Sequence, residues 1–143
     1  MKLNVFFDGA SRGNPGPAGA GFLIQDEKGS VIKEGYKYLG ECTNNSAEYK
    51  ALILSIESIL ELRENLPLIK TADIAIYSDS ELVIKQMKGQ YRVKNKGLAP
   101  LWQKANELLS LIGKVSFYNI PREENKKADK LANLAIDRVK NSS

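Results

Sequence analysis

The order of strands and helices in the second half of the chain is the feature that most limits its possible folds. Residues 73–78 (DIAIYS) form an apolar strand candidate, and a short helix over 80–87 follows at once. A longer helix, over about 98–112, then leads to another strand candidate at 115–120. Strands that alternate with helices pair in parallel, so this half predicts a parallel β-sheet with helices packed on it.

The first half predicts three antiparallel strands. Residues 2–8 (KLNVFFD) include the consecutive apolar residues Val5, Phe6 and Phe7, which suit a central strand that is buried on both faces. After a Gly- and Pro-rich turn, strand candidates follow at 20–25 and 31–38, joined by a short hairpin connection. Helical spacing of apolar residues predicts helices over 45–63 and 123–139, with a frayed end at 140–143.

Together these elements predict an α/β fold. We expect a five-stranded mixed sheet, with three antiparallel strands followed by parallel strands, and helices on both faces. With 143 residues, of which 43% are apolar, the chain has the size of a single domain spanning residues 1–143. No apolar run approaches the roughly 18 residues of a membrane span, so we expect a cytoplasmic protein that does not contact a membrane.

The absence of histidine is the most restrictive feature of the composition. It excludes imidazole zinc sites, Ser-His-Asp triads and Cys-His pairs. Cys42 is the only cysteine, so an intrachain disulfide is excluded as well. The formal charge of +4 favours a polyanionic partner without identifying one. Any acid–base or metal chemistry must therefore depend on carboxylates.

Two aspartates lie where buried strand candidates end. Asp8 closes the first strand, and Asp79 directly follows the strand at 73–78. Ligands of sheets with parallel strands bind beyond the carboxyl ends of those strands, so the two side chains are predicted to meet. The alternative is local: Asp8 as a turn residue and Asp79 as a helix N-cap.

Two further acids are predicted to face the sheet from helices. At about 100° per residue, Glu48 lies opposite the solvated Glu57 and so faces the sheet, although a capping box with Asn45 is the alternative. Asp129 borders the apolar stripe of the last helix, which we expect to comprise Ala128, Leu131, Ala135 and Val139. Four carboxylates without histidine suit hard divalent cations such as Mg²⁺, and two such ions can hydrolyse a phosphodiester.

Four ordered motifs resemble the type 1 ribonuclease H family across essentially the whole chain: FFDGASRGNPGPAGAG, TNNSAEYKAL, IYSDSELVIKQMKG and NKKADKLANLA. The resemblance implies a ribonuclease H-like fold and an endonuclease that cuts the RNA strand of RNA/DNA hybrids, leaving 5′-phosphate and 3′-hydroxyl ends. It also implies two Mg²⁺ ions, for which Mn²⁺ can substitute. Their ligands would be the family's catalytic carboxylates, here Asp8, Glu48, Asp79 and Asp129.

The resemblance also implies contacts with the substrate. Asn14 is similar to the residue that touches the RNA strand, and Asn44 and Asn45 to the residues that span both strands in the minor groove. Thr43 and Asn95 resemble parts of a pocket that grips a DNA phosphate. Turn or cap chemistry is the alternative for these asparagines.

The chain departs from the family pattern in two places. Many members carry a histidine in the loop before the last aspartate; here IPREENKKAD has none, as in the His-free branch of the family. Arg122 of this loop could hold phosphate but cannot shuttle protons, which leaves its role open. A long basic protrusion is also absent. The segment KQMKGQYRVKNK replaces it, and its Lys94 and Lys96 are expected to bind the nucleic-acid backbone, with a solvated loop as the alternative.

Other functions remain open at this point. A nuclease of the integrase or junction-resolving type should differ in the order and spacing of its acids. Broadened specificity, with double-stranded RNA also cut, is compatible with the sequence. A catalytically silent nucleic-acid-binding module would not need all four acids. We expect a monomer that binds RNA/DNA hybrids.

Overall fold

The computed structural model describes residues 1–141, which contain a mixed five-stranded sheet. Its strands are β1 (Lys2–Ser11), β2 (Gly16–Gln25), β3 (Val31–Cys42), β4 (Asp73–Ser78) and β5 (Val115–Asn119). β2 pairs antiparallel with β1 and β3, whereas β4 pairs in parallel with β1 and β5. The resulting order, β3-β2-β1-β4-β5, confirms the expected mixed sheet of antiparallel and parallel strands.

Helices cover both faces of this sheet, as expected. They are α1 (Asn44–Asn65), α2 (Glu81–Met87), α3 (Ala99–Ser110) and α4 (Lys126–Asn141), with 3₁₀ segments at Pro67–Thr71 and Arg122–Glu124. α1 packs on β1 and β2 and against α3, while α4 packs across β1, β2 and β3. Within residues 1–141, no helix combines the length and the apolar character needed to cross a membrane.

β1 is the central strand, and its alternation places the core on one face. Val5 and Phe7 are fully buried in the core beneath α1. Phe6 points to the opposite face, where it is only partly buried and stacks on Tyr77 of β4 with ring centroids 4.9 Å apart. The expected burial of β1 on both faces is therefore incomplete at Phe6, because α4 packs over β1, β2 and β3 rather than over β4.

The Gly- and Pro-rich segment was expected to be a turn, and this expectation is wrong for most of it. β1 continues to Ser11 and β2 already begins at Gly16. Gly19 and Gly21 lie within β2, where an added Cβ would overlap the backbone carbonyls of Ala132 and Ala128. These glycines therefore allow α4 to pack closely on the sheet rather than making a turn.

α4 also differs from its predicted extent and stripe. It begins at Lys126 rather than 123, and Lys140 and Asn141, which were expected to fray, continue the helix; Ser142 and Ser143 lie outside the described residues. Val139 is 42% exposed, so its expected place in the core is wrong. The close approach to β2 selects small side chains on the buried face, which comprises Ala128, Ala132, Ala135 and Ile136.

Candidate active site

The four carboxylates expected to act together line one cavity. Asp8 lies near the end of β1 and Asp79 directly follows β4, the parallel neighbour of β1, so their side chains meet at one edge of the sheet. Neither local alternative holds, because Asp8 is a strand residue and Ser80, not Asp79, is the N-cap of α2. The carboxylate cavity has a volume of about 280 Å³. Its lining comprises Asp8, Gly9, Ala10, Ser11, Asn44, Glu48, Asp79, Arg122, Asp129 and Asn133.

Glu48 reaches this cavity from the second turn of α1. The helix is capped by Thr43, whose Oγ1 accepts a 3.2 Å hydrogen bond from the Ser46 backbone N–H, so the capping-box alternative for Glu48 is wrong. Gly9 allows α1 to lie against β1, since a Cβ there would overlap the backbone of Ala47 and Glu48. A glycine expected only in a turn thus brings Glu48 beside Asp8.

Asp129 enters the cavity from the first turn of α4 and is held by Asn133. The Nδ2 atom of Asn133 donates to the Asp129 carboxylate at 3.2 Å and to its backbone carbonyl at 3.0 Å. Arg12 in turn donates to Asn133 Oδ1 at 3.3 Å and forms an ion pair with Asp137 at 2.7 Å. The loop between β1 and β2 is therefore tied to the helix that carries Asp129.

Asn125, which no pattern in the sequence indicated, connects β1 to the residue after β4, where the pairing of these strands ends. It is 2% exposed and lies just before α4. Its Nδ2 atom donates to the backbone carbonyl of Phe7 at 2.9 Å and to Asp79 Oδ1 at 2.7 Å. Its backbone carbonyl accepts from the Asp129 N–H at 3.1 Å, so one residue contacts two of the carboxylate residues and the neighbour of a third.

Burial and mutual repulsion make full ionisation of these acids costly. Burial, with the nearby charges of Asp79 and Asp129, raises the pKa of Asp8 to about 7. Burial and then the charge of Asp8 raise the pKa of Glu48 well above its ordinary range. The Oε2 atom of Glu48 is buried and has no hydrogen-bond partner. The cluster therefore needs protons or a cation to balance its charge.

The donor set fits a hard divalent cation. Every candidate ligand is a carboxylate oxygen, and one of them, Glu48 Oε2, lacks a partner. Among residues 1–141, no three His, Cys, Asp or Glu side chains already stand in the arrangement of a metal centre. Asp79 and Asp129 each accept a hydrogen bond through one carboxylate oxygen, from Asn125 and from Asn133 respectively.

A second cavity has a volume of about 290 Å³. Five asparagine and threonine side chains were expected to contact the substrate, and four of them line this cavity. This asparagine cavity is lined by Asn14, Thr43, Asn45, Ser46, Asn95, Gly97 and Leu98. The fifth residue, Asn44, lines the carboxylate cavity, and its backbone N–H donates to Asn14 Oδ1 at 3.0 Å. The two cavities are therefore neighbours, joined at Asn14 and Asn44.

Asn95 also has the local role that was its alternative. Its Oδ1 atom accepts from the backbone N–H groups of Gly97 at 2.7 Å and Leu98 at 3.2 Å, which orders the turn before α3. The flanking Lys94 and Lys96 are exposed. Lys85, from the same basic segment, forms an exposed ion pair with Glu81 at 2.7 Å.

Comparisons with known proteins agree with this arrangement. Residues 6–135 match a family model described as Reverse transcriptase-like. Ribonuclease HI of Halobacterium salinarum is 38% identical over 136 residues, which are 95% of this chain and 65% of that protein. A bifunctional protein of Mycobacterium tuberculosis is 36% identical over 144 residues, covering 100% of this chain and 38% of that protein. The chain thus spans less than two thirds of both relatives.

A solved structure is similar over nearly the whole chain. LC11-RNase H1, crystallised in complex with an RNA/DNA hybrid, superposes with a TM-score of 0.89 at 40% identity. The match covers 96% of this chain and 99% of that one. The mixed sheet and its helices are therefore those of a well-defined structural family.

Proposed function

Because the chain belongs to the type 1 ribonuclease H family, we propose that it is an endonuclease that hydrolyses the RNA strand of RNA/DNA hybrids with divalent metal ions. The observation that carries the proposal is the meeting of Asp8, Glu48, Asp79 and Asp129 around one cavity. The similarity to ribonuclease HI and to an RNase H1 bound to a hybrid supports the choice of substrate.

The four carboxylates would hold two Mg²⁺ ions, with Mn²⁺ as a substitute. When bound, such ions would activate the attacking water and stabilise the leaving oxygen. Asp8 and Glu48 release their protons as the cations bind, since a nearby positive charge lowers the pKa that burial had raised. Asn125 and Asn133 keep Asp79 and Asp129 at the cavity wall.

Hydrolysis would break the bond between phosphorus and the 3′ oxygen of the RNA strand. The water oxygen attacks the phosphorus from the side opposite that oxygen, and the departing oxygen takes up a proton. The products are a 5′-phosphate end and a 3′-hydroxyl end. Arg122 lines the same cavity and would hold the phosphate, because its guanidinium stays protonated and offers several donors.

The residues of the two neighbouring cavities would contact both strands of the hybrid. Asn14, Asn44 and Asn45 would contact the minor groove, where the 2′-hydroxyl distinguishes RNA from DNA. Thr43 and Asn95 would hold a phosphate of the DNA strand in the asparagine cavity. Lys94 and Lys96, exposed on either side of Asn95, would bind the backbone without reading its sequence.

The experiment that tests this proposal follows one labelled RNA strand. The protein should cut it in a hybrid when Mg²⁺ is present and should leave it intact when a chelator is added. Failure to cut the hybrid with either Mg²⁺ or Mn²⁺ would refute the proposed activity.

A further inference from the structure

A groove lined by lysines lies between β3, α1 and α3, away from the carboxylate cavity. It has a volume of about 310 Å³. Its floor is α1, and its two walls are β3 and the start of α3. The lysine groove is lined by Lys37, Tyr38, Leu39, Lys50, Ile53, Leu54, Glu57, Leu101 and Lys104.

The groove carries an unbalanced positive charge. Three lysines line it, and Glu57 is the one acid among its lining residues. The ion pairs among residues 1–141 use Lys33, Lys85 and Arg12, so none of them neutralises Lys37, Lys50 or Lys104. Lys50 is half-buried, and its ammonium group donates to the Cys42 sulfur at 3.3 Å. A concave, positively charged surface attracts polyanions.

The lysine groove continues directly from the asparagine cavity. The N-terminal ends of α1 and α3 line the asparagine cavity, through Ser46 and Leu98. One turn further along each helix, Lys50 and Leu101 line the lysine groove. The helices run in the same direction, since Arg63 near the end of α1 donates to the Ile112 carbonyl just after α3 at 2.9 Å.

The separation of the two cavities suits successive positions on one nucleic-acid strand. At 1.5 Å per residue, Lys50 lies about 6 Å along α1 from Ser46, and Lys104 about 9 Å along α3 from Leu98. Both distances are on the scale of the step between neighbouring phosphates of one strand, whose rise along the duplex axis is about 3.4 Å, so these lysines are within reach of the next nucleotides of a strand held in the asparagine cavity.

We propose that the lysine groove binds the backbone of the DNA strand where that strand continues beyond the asparagine cavity. This inference rests on the proposed function, which places a DNA phosphate at Thr43 and Asn95. The groove adds affinity without sequence preference, because lysine ammonium groups contact phosphates and not base edges. It extends the substrate footprint beyond the hybrid segment at the carboxylates.

The test compares a short flush-ended hybrid, just long enough to fill the carboxylate and asparagine cavities, with hybrids whose DNA strand extends by about six nucleotides, at the 5′ end in one and the 3′ end in the other. Binding is measured without divalent cations over a range of salt concentrations. Wild-type protein should bind one extended hybrid more tightly than the flush hybrid. In the triple variant Lys37→Ala/Lys50→Ala/Lys104→Ala, that gain should disappear, and the salt slope should become shallower by about 3.

Matched variants separate a local effect from a change in total charge or in folding. Lys28→Ala/Lys70→Ala/Lys114→Ala removes the same charge from exposed positions outside the groove and should retain the gain. Lys37→Ala/Lys104→Ala alters only exposed residues and should make the salt slope shallower by about 2, two thirds of the change in the triple variant. Glu57→Lys adds a cation at the exposed edge and should steepen the slope by about 1, which a destabilised fold could not do.

The outcomes for the groove and for the proposed function can be distinguished. Equal gains from the extension in wild type and in the triple variant, or no gain in wild type, would overturn the groove proposal. Cleavage of the flush hybrid with Mg²⁺ is measured in parallel and tests the nuclease alone. A protein that binds extended hybrids through these lysines but never cuts would support the groove proposal and refute the proposed nuclease activity.

Discussion

Asn125 and Asp79 form a 2.7 Å hydrogen bond at the point where the parallel pairing of β1 and β4 ends. The same amide nitrogen donates to the backbone carbonyl of Phe7, the residue before Asp8. One buried side chain therefore fixes the separation of two carboxylates that belong to different strands. Because its amide nitrogen bonds to both segments, Asn125 acts as a positioning residue.

Asn125→Ala should raise the Mg²⁺ concentration needed for half-maximal cleavage by about 10- to 100-fold, because residues that orient metal ligands contribute on this scale. It should also lower the free energy of unfolding by about 1–3 kcal/mol, because the Phe7 carbonyl loses its partner. The measurement is a Mg²⁺ titration of the cleavage rate together with chemical denaturation.

Asn119→Ala is the matched control for this prediction. Asn119 donates to the Ser78 carbonyl at 3.1 Å, also at a strand end, but has no hydrogen bond to a carboxylate. It should leave the Mg²⁺ requirement unchanged. Equal Mg²⁺ requirements in the two variants would show that Asn125 contributes stability alone.

The metal-free protein should become less stable as pH rises from 5 to 7. In the folded state the pKa of Asp8 is raised from its ordinary value to about 7 by burial and neighbouring acids. The unfolded chain loses this proton near pH 4, so between pH 4 and 7 the folded state holds more protons and stability falls with pH. Chemical denaturation in a chelator measures the slope, and the absence of histidine keeps this pH window clear of imidazole.

Asp8→Asn provides the control for the pH prediction. The variant should show a flatter pH dependence than wild type between pH 5 and 7, because the amide does not titrate. Mg²⁺ should stabilise the wild type more at pH 7 than at pH 5, since cation binding favours the ionised carboxylates. A wild-type free energy of unfolding that increases steadily from pH 5 to 7 would contradict the raised pKa of Asp8.

Asp8→Asn and Asp79→Asn should each reduce cleavage by at least about 100-fold while preserving the fold, because a lost ligand weakens a metal contribution of several kcal/mol. Asp73→Asn, at the exposed opposite end of β4, is the matched control and should cut at nearly the wild-type rate. Turnover at the wild-type rate by Asp8→Asn would exclude Asp8 from the chemistry. The measurement is the initial rate on an RNA/DNA hybrid, with circular dichroism as the folding check.

Replacing Lys94 and Lys96 with alanine should weaken hybrid binding and make its salt slope shallower by about 2, one for each lost phosphate contact. The catalytic rate at saturating substrate should stay close to wild type. Lys28→Ala/Lys70→Ala makes the same change of charge at exposed positions elsewhere. Identical slopes for the two double variants would remove Lys94 and Lys96 from the binding surface.

Local pattern was sufficient to predict the sheet, whereas the four acids were assigned as a set by the resemblance of four ordered motifs to a known family. Apolar runs identify the buried strands, and the parallel pairing of β4 and β5 follows from the helices between them. The side of α1 on which Glu48 lies could also be predicted, since it follows from helical geometry alone.

The parts that were missed depend on contacts between distant segments. Asn125 bonds to Phe7, which is 118 positions away, and nothing near Asn125 in the chain indicates that contact. Gly9 and Gly19 looked like turn residues, because the Gly- and Pro-rich segment around them does not reveal that helix backbones pack on them. The exposure of Val139 likewise reflects the line along which α4 crosses the sheet.

The most direct measurement presents one labelled RNA strand as an RNA/DNA hybrid, as double-stranded RNA and as single-stranded RNA, beside a labelled DNA duplex, with Mg²⁺, Mn²⁺ or chelator. We predict cleavage of the RNA in the hybrid with either cation, none with chelator, and an intact DNA duplex. Additional cleavage of double-stranded RNA would broaden the specificity and keep the four-carboxylate mechanism. Tight binding of the hybrid without cleavage under any condition would contradict the proposed nuclease activity, and the chain would then be a nucleic-acid-binding module.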